Sequence, residues 1–367
     1  MNKTIVHHEG VAALTVTGHQ HRNQPARIKL GVDIHARLYV VAAQHDHAAL
    51  KPPRRFAPGE FVPWVESLLR AGHGVEVVYE ACGFGFGLYR RLVAAGAHCY
   101  VIAPRKLDEQ RSGVKTDPRD ATTLCQRLSR YLEGNTQELA VIRVPTEEEE
   151  RARHTSRQRA QLVAHRQKME AQGRGLLVSH SLAAPAHWWK EQTFQRLKRL
   201  LPEWIIAHLE IYRPVLLELA RQIAALSSQL EAAAPAGLPR GLGKLTSVVT
   251  TREVCDWSRF HNRRQVSSYT GLCPGEYSSG GKRVPGSVTK HGNPRLRAAL
   301  VELAWRLVRF QPQYPPVKKR LGLLAKGARA TGAARKKAIV AVARQLAVDL
   351  WRLQTGRCTP AQLGLLN

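Results

Sequence analysis

Hydrophobic and polar residues alternate along the segment that begins at Arg27. The aliphatic positions are Ile28, Leu30, Val32 and Ile34. Alternation with a period of two is typical of a β-strand with one buried face. After a short turn at residues 35–37, the apolar run LYVVAAQ predicts a second strand. The pattern therefore predicts a β-hairpin in which Asp33 lies on the face opposite the aliphatic row.

Helices and further strands alternate beyond this hairpin. Residues 61–71 predict a helix, and GVEVVYEA predicts a buried strand that ends at Glu80. LYRRLVAAG predicts a helix closed by Gly96, and HCYVIAP predicts another strand. Two antiparallel strands followed by alternating helices and strands predict a mixed α/β sheet. This order is similar to the ribonuclease H/RuvC-like architecture.

The composition changes after Val144. Pro145 and Thr146 precede four glutamates, which predicts an N-cap and an acidic first turn that opposes the helix dipole. This polar helix should end near His180, and residues 203–234 repeat apolar positions every three or four residues. The two stretches predict an antiparallel helical hairpin. Its basic first arm either binds phosphates or is the solvated face of an ordinary coiled coil, and both alternatives stay open.

Proline and glycine between residues 235 and 243 mark a further boundary. We therefore predict a disordered N-terminal extension at 1–26 and an α/β RuvC/ribonuclease H-like domain at 27–144. A coiled-coil helical hairpin follows at 145–235, and a mainly α C-terminal domain occupies 236–367.

The charge of the chain is strongly positive. It has 56 basic and 28 acidic residues among 367, a net charge of +28. The stretch from Lys282 to Arg344 contains 16 lysines and arginines and one acid, Glu302. Such a surplus predicts a polyanionic partner, because every phosphate that is neutralised releases counterions. The six cysteines lack zinc spacing, and no apolar run is long enough for a membrane span or a signal peptide. These features predict a cytoplasmic protein without a membrane partner.

Four carboxylates are unusual in so basic a chain. They are Asp33, Glu80, Asp117 and Asp120. Acids from two strands and a helix that converge on one cleft could hold Mg²⁺, which activates a nucleophile and stabilises the leaving oxygen in phosphodiester cleavage. The alternative for the last two is a helix start, with an N-cap, a proline and a third-position acid. Other acids, namely Glu76, Asp108 and Glu109, are expected at the surface.

A second constellation lies between Ser267 and Arg297. Ser278 and Ser279 precede two glycines, Lys282 and Arg283. A serine on a glycine-rich loop can attack a phosphodiester when nearby cations hold the phosphate. By composition alone, the same residues form an ordinary turn.

The motifs GVDIHA, YEACGFGFGLYRRL and KTDPRDA, followed by YTGLCP, SSGGKR and TKHGNPRLR, resemble those of the DEDD transposases of the insertion-sequence family one-ten and the related Piv-type DNA invertases. The resemblance extends from about Lys29 to Trp351. It implies a RuvC-like domain, a coiled coil and a C-terminal transposase domain. It also implies DNA recombination guided by a structured bridge RNA that pairs with target and donor DNA.

By position, the resemblance makes Asp33, Glu80, Asp117 and Asp120 the metal-binding acids, with Mg²⁺ as the cofactor. It makes Ser279 the nucleophile that forms a covalent phosphoserine on DNA, with Ser278 as the neighbouring alternative. The expected nucleic-acid contacts are Lys115, Arg119, Lys282, Arg283, Lys290, Arg295 and Arg297. We expect a homo-oligomer, a dimer or tetramer, that acts at the nucleoid. The alternatives are a metal-dependent RuvC-like nuclease or Holliday-junction resolvase without serine chemistry, and a non-catalytic protein that binds RNA or DNA.

Overall fold

A computed structural model describes residues 25–104, 117–279 and 282–366, with backbone alone at 278, 279, 282, 283 and 285. The predicted N-terminal extension up to residue 24 and the segment 105–116, with Lys115, Asp108 and Glu109, lie outside the described residues. The chain forms two compact units, one up to Val144 and the other from Pro145.

The N-terminal unit is built on a mixed sheet. Its strands are β1 (Arg27–Ile34), β2 (Tyr39–His45), β3 (Lys51–Phe56), β4 (Gly74–Glu80) and β5 (His98–Ile102). The order is β3-β2-β1-β4-β5, with antiparallel pairs on the β3 side of β1 and parallel pairs on the β5 side. The mixed α/β sheet predicted from the sequence is confirmed. The pattern did not predict β3, because two prolines and three charges occupy its six residues, and this composition is tolerated at a sheet edge.

Three helices cover the two faces of this sheet. They are α1 (Pro58–Arg70), α2 (Gly87–Ala94) and α3 (Asp117–Leu132). Ile28, Leu30 and Val32 are fully buried in a core shared with α1 and α2. On the opposite face, Val78 packs against Leu124 of α3. The aliphatic row of β1 therefore points away from α3, and Asp33 lies on the α3 side, as the alternation predicts.

Gly31 permits a close backbone contact between β1 and α3. A Cβ atom at this position would lie 2.3 Å from the carbonyl oxygen of Ala121 and 2.3 Å from the amide nitrogen of Cys125. Both are backbone atoms of a helix, so neither can move without shifting α3. The glycine thus permits the close approach of α3 to β1 at Ala121 and Cys125.

We expect Gly31→Ala to lower the free energy of unfolding by about 3 kcal/mol, because overpacking here meets backbone and not a flexible side chain. Gly74→Ala is the matched control, since Gly74 also lies in the sheet and a Cβ there has nothing within 4 Å. Its effect should stay within about 0.5 kcal/mol. Urea unfolding of the full chain measures both variants, and equal stabilities would refute the close contact as a constraint.

The C-terminal unit opens with two long helices and a short helix between them. They are α4 (Glu147–Ser179), α5 (Glu191–Lys198) and α6 (Glu203–Ala232). Thr146 and Glu149 form a capping box at the start of α4, and the helix ends at Ser179, so both predicted ends are confirmed. Arg159 of α4 donates to Ser227 of α6, while Leu177 packs near Ile205, so the two helices run antiparallel.

The sequence pattern did not predict α5. The segment before it is held by Trp188, which is fully buried and donates its indole N–H to the carbonyl of Glu170. A Cβ at Gly173 would lie 2.2 Å from the Trp188 ring, so this glycine makes room for the indole. The tryptophan anchors the connection to α4, and this long-range packing is invisible to local periodicity.

The remainder of the C-terminal unit is a helical core with one small sheet. Its elements are α7 (Lys244–Val254), α8 (Arg263–Thr270), β6 (Pro274–Ser279), β7 (Lys282–Val288), α9 (Pro294–Phe310), α10 (Pro315–Lys318), α11 (Leu321–Leu324), α12 (Gly332–Gln354) and a 3₁₀ turn (Ala361–Leu363). The helical character predicted for this region is confirmed. The segment around Ser279, predicted as a glycine-rich loop, instead contains two antiparallel strands. Within the described residues, every helix is too short or too polar to cross a bilayer.

Candidate active site

Asp33 and Glu80 lie side by side at the carboxyl ends of neighbouring parallel strands. The register pairs Gly31 with Val78 and Val32 with Tyr79. Asp33 and Glu80 each stand two residues beyond the pair formed by Gly31 and Val78, so they share its face of the sheet, the face covered by α3. Both side chains are partly buried. The predicted convergence of these two strand acids therefore has a simple origin in the register.

Asp117 and Asp120 both lie in the first turn of α3. Asp120 lines one cleft of about 100 Å³ together with Asp33 and Glu80. Asp117 is half-exposed, and its side chain contacts His35. Asp117 is the first residue of α3 and not a residue that precedes it. Acids in a first turn suit the helix dipole, so a structural role in α3 and a metal role are compatible.

His35 joins the acid cluster, although sequence reasoning treated it only as a turn residue. Its Nε2 lies 3.3 Å from Asp33 Oδ2 and 3.5 Å from Asp117 Oδ2. The backbone N–H of His35 donates to the carbonyl of Leu38, which fixes the turn after β1. The sequence did contain a signal for this contact. His35 follows Asp33 by two residues, and in an extended chain residues two apart lie on the same face.

The donor set suits a divalent cation. Ligand atoms of Asp33, His35 and Asp117 all lie within 4.8 Å of one another. Carboxylate oxygens are the ligands that hard cations prefer, and the cleft has room for an ion with water in its remaining positions. The residues present therefore fit a metal centre.

Arg119 is exposed beside these acids in the first turn of α3. The expected contact of Arg119 with nucleic acid stays a prediction. Lys115, the other expected contact in this loop, lies outside the described residues.

Glu76 is buried, which corrects the expectation that it lies at the surface. Arg27 donates two hydrogen bonds to Glu76 Oε1, at 3.1 and 2.7 Å, and His98 Nδ1 lies 3.2 Å from the same oxygen. Glu76 belongs to the α3 face of β4, but at the amino end of the strand, remote in register from Glu80. Its partners make it a structural acid.

Ser279 lies at the end of β6, where the two strands of the hairpin converge. Its backbone pairs with Lys282, and Ser278 pairs with Arg283. The hairpin therefore presents two serines and two basic residues at one tip, in two adjacent backbone pairs. Tyr277 and Val284, which also pair, are both exposed.

Two glycines fix the base of this hairpin. Gly271 and Gly292 have φ values of 64° and 139°, in the region that favours glycine. A Cβ on Gly271 would lie 2.5 Å from the carbonyl oxygen of His291, and one on Gly292 would lie 2.4 Å from that of Tyr269. The backbones of residues 270–271 and 291–292, in the two distal motifs, are thus in direct contact.

The basic residues expected to bind nucleic acid differ in their surroundings. Arg297 donates to the carbonyls of Thr270 and Lys290, at 3.3 and 3.2 Å, so it also braces the base of the hairpin. Lys290 and Arg295 are exposed. The side chains of Lys282 and Arg283 are not described.

Glu253 connects three helices behind the hairpin, and sequence reasoning missed it. Its side chain is 1% exposed and accepts two hydrogen bonds from Arg157 of α4, at 3.0 and 2.8 Å. Asn293, which caps α9, donates to the same carboxylate at 2.6 Å. Burial alone would raise the pKa of Glu253, but the bonds from Arg157 and Asn293 lower it overall. The carboxylate is therefore held ionised at the base of the hairpin.

A carboxylate-lined cleft on a mixed sheet, in a chain with a net charge of +28, is typical of enzymes that use divalent cations to cut and join nucleic acid strands. Comparison with known proteins narrows this class. Residues 30–181 match the DEDD transposase family of the IS110 type, and residues 239–317 match the Transposase IS116/IS110/IS902 family.

Similar proteins extend the match over most of the chain. A protein of Sinorhizobium fredii named as transposase y4rJ is 32% identical over 83% of this chain and 80% of its own length. The transposase for insertion sequence element IS1111A of Coxiella burnetii is 27% identical, covering 89% of each chain. The chain belongs to the IS110 family of DEDD transposases, which confirms the resemblance found in its motifs. It is a DNA-binding transposase of an insertion sequence, an enzyme of DNA cleavage and strand transfer, and its family implies use of a divalent metal.

Proposed function

We propose that this transposase cleaves and exchanges DNA strands with two sets of residues. Asp33, Glu80, Asp117 and Asp120 hold Mg²⁺, and Ser279 is the nucleophile. The observation that carries the proposal is the convergence of three of these acids on one cleft, with the fourth in contact with the same histidine as Asp33. When bound, Mg²⁺ would neutralise charge on the reacting phosphate and on the leaving oxygen.

The serine step is a transesterification. The hydroxyl oxygen of Ser279 attacks the phosphorus and loses its proton, one phosphodiester P–O bond breaks, and the displaced strand end leaves as a hydroxyl. The leaving oxygen takes up a proton, and the other strand end stays attached through a phosphoserine. A new phosphodiester thus replaces the broken one, and a strand hydroxyl can attack it in the exchange step. Lys282 and Arg283 pair in the backbone with the two serines. In this proposal their cations would hold the attacked phosphate.

We further propose that a structured bridge RNA guides the enzyme to target and donor DNA. The family membership and the basic C-terminal stretch support this, because a protein that leaves sequence recognition to an RNA binds backbone and shape. We assign the N-terminal unit to the RuvC/ribonuclease H-like class, supported by its order of antiparallel and parallel strands. The remaining assignments are a coiled coil at 145–235, a transposase domain at 236–367, and a dimer or tetramer acting at the nucleoid in the cytoplasm.

A second function is favoured by one observation. Among the described residues, the cleft lined by Asp33, Glu80 and Asp120 is formed by the N-terminal unit. A RuvC-like nuclease or Holliday-junction resolvase would need only these acids, the metal and water. Such an enzyme would cleave DNA and leave no covalent link to protein.

Replacement of Ser279 decides between the two functions. The full-length transposase with Mg²⁺, its copurifying RNA and labelled DNA should form a denaturation-resistant protein–DNA adduct, and Ser279→Ala should abolish it. Ser287→Ala, in β7 of the same hairpin, is the matched control and should form the adduct normally. Ser278→Ala tests the neighbouring hydroxyl. Undiminished strand cleavage by Ser279→Ala would support the nuclease.

Binding of nucleic acid should weaken steeply with salt. If the basic surface contacts six to ten phosphates, the affinity should fall by about 10³–10⁵ between 50 and 200 mM salt, because counterions are released on binding. Fluorescence anisotropy with labelled duplex measures the slope. Arg295→Ala should reduce the slope by about one contact, because its side chain is exposed. A binding constant independent of salt would contradict phosphate contacts as the source of affinity.

A further inference from the structure

We propose that His35 is a nitrogen ligand of the metal centre, and that the centre consequently binds Mn²⁺ more tightly than Mg²⁺. The inference rests on the proposed metal role of the acids and adds a residue that the four-acid motif lacks. His35 lies just beyond the end of β1, in a turn fixed by its backbone bond to Leu38. Its position is therefore set by the same strand that positions Asp33.

The spacing of the three donor atoms is that of one coordination shell. The imidazole Nε2 stands 3.3 Å from one carboxylate oxygen and 3.5 Å from the other, and all three donors lie within 4.8 Å of one another. For ligands about 2.1 Å from an octahedral ion, neighbouring donors are about 3 Å apart and opposite donors about 4 Å apart. The two contacts of His35, with Asp33 and with Asp117, thus fall between these values, as expected of ligands that share an ion.

A simple ion pair accounts for this geometry less well. One ring N–H can be directed at only one acceptor, and well-formed N–H···O bonds measure about 2.7–3.2 Å. Here one nitrogen is nearly equidistant from two carboxylates, and both contacts are longer than that range. Sharing of this kind is expected when the three groups face a common centre.

A nitrogen donor changes the preference of the site. Mg²⁺ is held by oxygen ligands and keeps its waters, whereas imidazole suits transition metals. Mn²⁺ accepts octahedral oxygen ligands and also an imidazole nitrogen. The acids alone would therefore bind both ions, and His35 would add more affinity for Mn²⁺ than for Mg²⁺.

Pulsed electron paramagnetic resonance of Mn²⁺ tests this ligand without an activity assay. One equivalent of Mn²⁺ added to the metal-free full chain should show coupling to a directly bound ¹⁴N. His35→Gln should lose that coupling and bind Mn²⁺ about tenfold more weakly, as titration calorimetry measures, while its Mg²⁺ affinity changes less. His47→Gln is the matched control, because His47 is exposed in the same unit and contacts Glu133. It should retain both the coupling and the affinity.

Asp33→Asn supplies the background, since the chain has 16 histidines that could bind Mn²⁺ elsewhere. Coupling that exceeds the Asp33→Asn signal and disappears in His35→Gln supports the ligand. Coupling that persists in His35→Gln, or a wild-type signal no larger than the background, overturns it. If Asp33→Asn binds Mn²⁺ as tightly as the wild type, the metal role of the acids fails as well. The two proposals therefore fail in distinguishable ways.

Discussion

Asp33→Asn should lower the rate of DNA strand cleavage about a thousandfold, which corresponds to about 4 kcal/mol of lost transition-state stabilisation. Asparagine keeps the shape of the side chain, so the fold should survive. It removes the negative charge that stands beside Glu80 at the carboxyl ends of β1 and β4 and contacts His35. A site that has lost a carboxylate holds a divalent cation weakly, and charge on the leaving oxygen is no longer neutralised.

The measurement is single-turnover cleavage of labelled DNA by the full-length protein in saturating Mg²⁺. Glu66→Gln is the matched control, because Glu66 is an exposed acid on α1 of the same unit and outside the cleft. It should cleave at the wild-type rate. DNA affinity should be unchanged in both variants, which separates catalysis from binding. Cleavage by Asp33→Asn within tenfold of the wild type would remove this residue from the metal site.

The elements of the N-terminal sheet that the sequence predicted are those with a strong local pattern. Alternation along β1 correctly placed Asp33 on the face opposite Ile28, Leu30 and Val32. The edge strand β3 escaped prediction because Pro52 and Pro53 argue against a strand, and only its place at the edge makes them acceptable. The strands of the serine hairpin were not predicted either. Glycine and serine indicate a turn, and the sequence pattern does not show that the residues on both sides pair as strands.

Those parts of the candidate site were predictable whose residues are brought together by the pairing of neighbouring strands. Glu80 ends a parallel strand beside β1, so its approach to Asp33 follows from strand pairing. Glu76 was misjudged because its burial depends on Arg27 and His98, which come from the two neighbouring strands. The approach of α3 depends on Gly31, and the sequence does not reveal which helix a glycine faces.

The Glu253 cluster could not be predicted, because its members are far apart in sequence. Arg157 and Glu253 are separated by 96 residues, and Glu253 and Asn293 by 40. An arginine in a basic helix is most simply interpreted as a phosphate contact. The structure instead gives Arg157 a buried acidic partner, while Arg151, on the same helix, pairs with exposed Glu147. Arg151 and Arg157 are alike in composition and lie on the same helix, and they differ in the burial of their acidic partners.

Arg157→Ala should therefore lower the free energy of unfolding by about 3–5 kcal/mol, because it leaves the carboxylate of Glu253 buried without its principal partner. Arg151→Ala, the matched control, should cost less than about 0.5 kcal/mol, since its ion pair is exposed. Urea unfolding of the full chain measures both variants. Adding Glu253→Gln to Arg157→Ala should restore part of the loss, because the orphaned charge is removed.

The contribution of Glu253 to the pH dependence of stability should change sign in Arg157→Ala. In the wild type the pKa of Glu253 is lowered by folding, so its contribution is present above the unfolded pKa and is lost as the pH falls through the folded pKa. Without Arg157, burial should raise that pKa, and the variant should lose less stability than the wild type on acidification. If Arg157→Ala and Arg151→Ala were equally stable at every pH, the cluster could not be what holds α4 to α7 behind the hairpin.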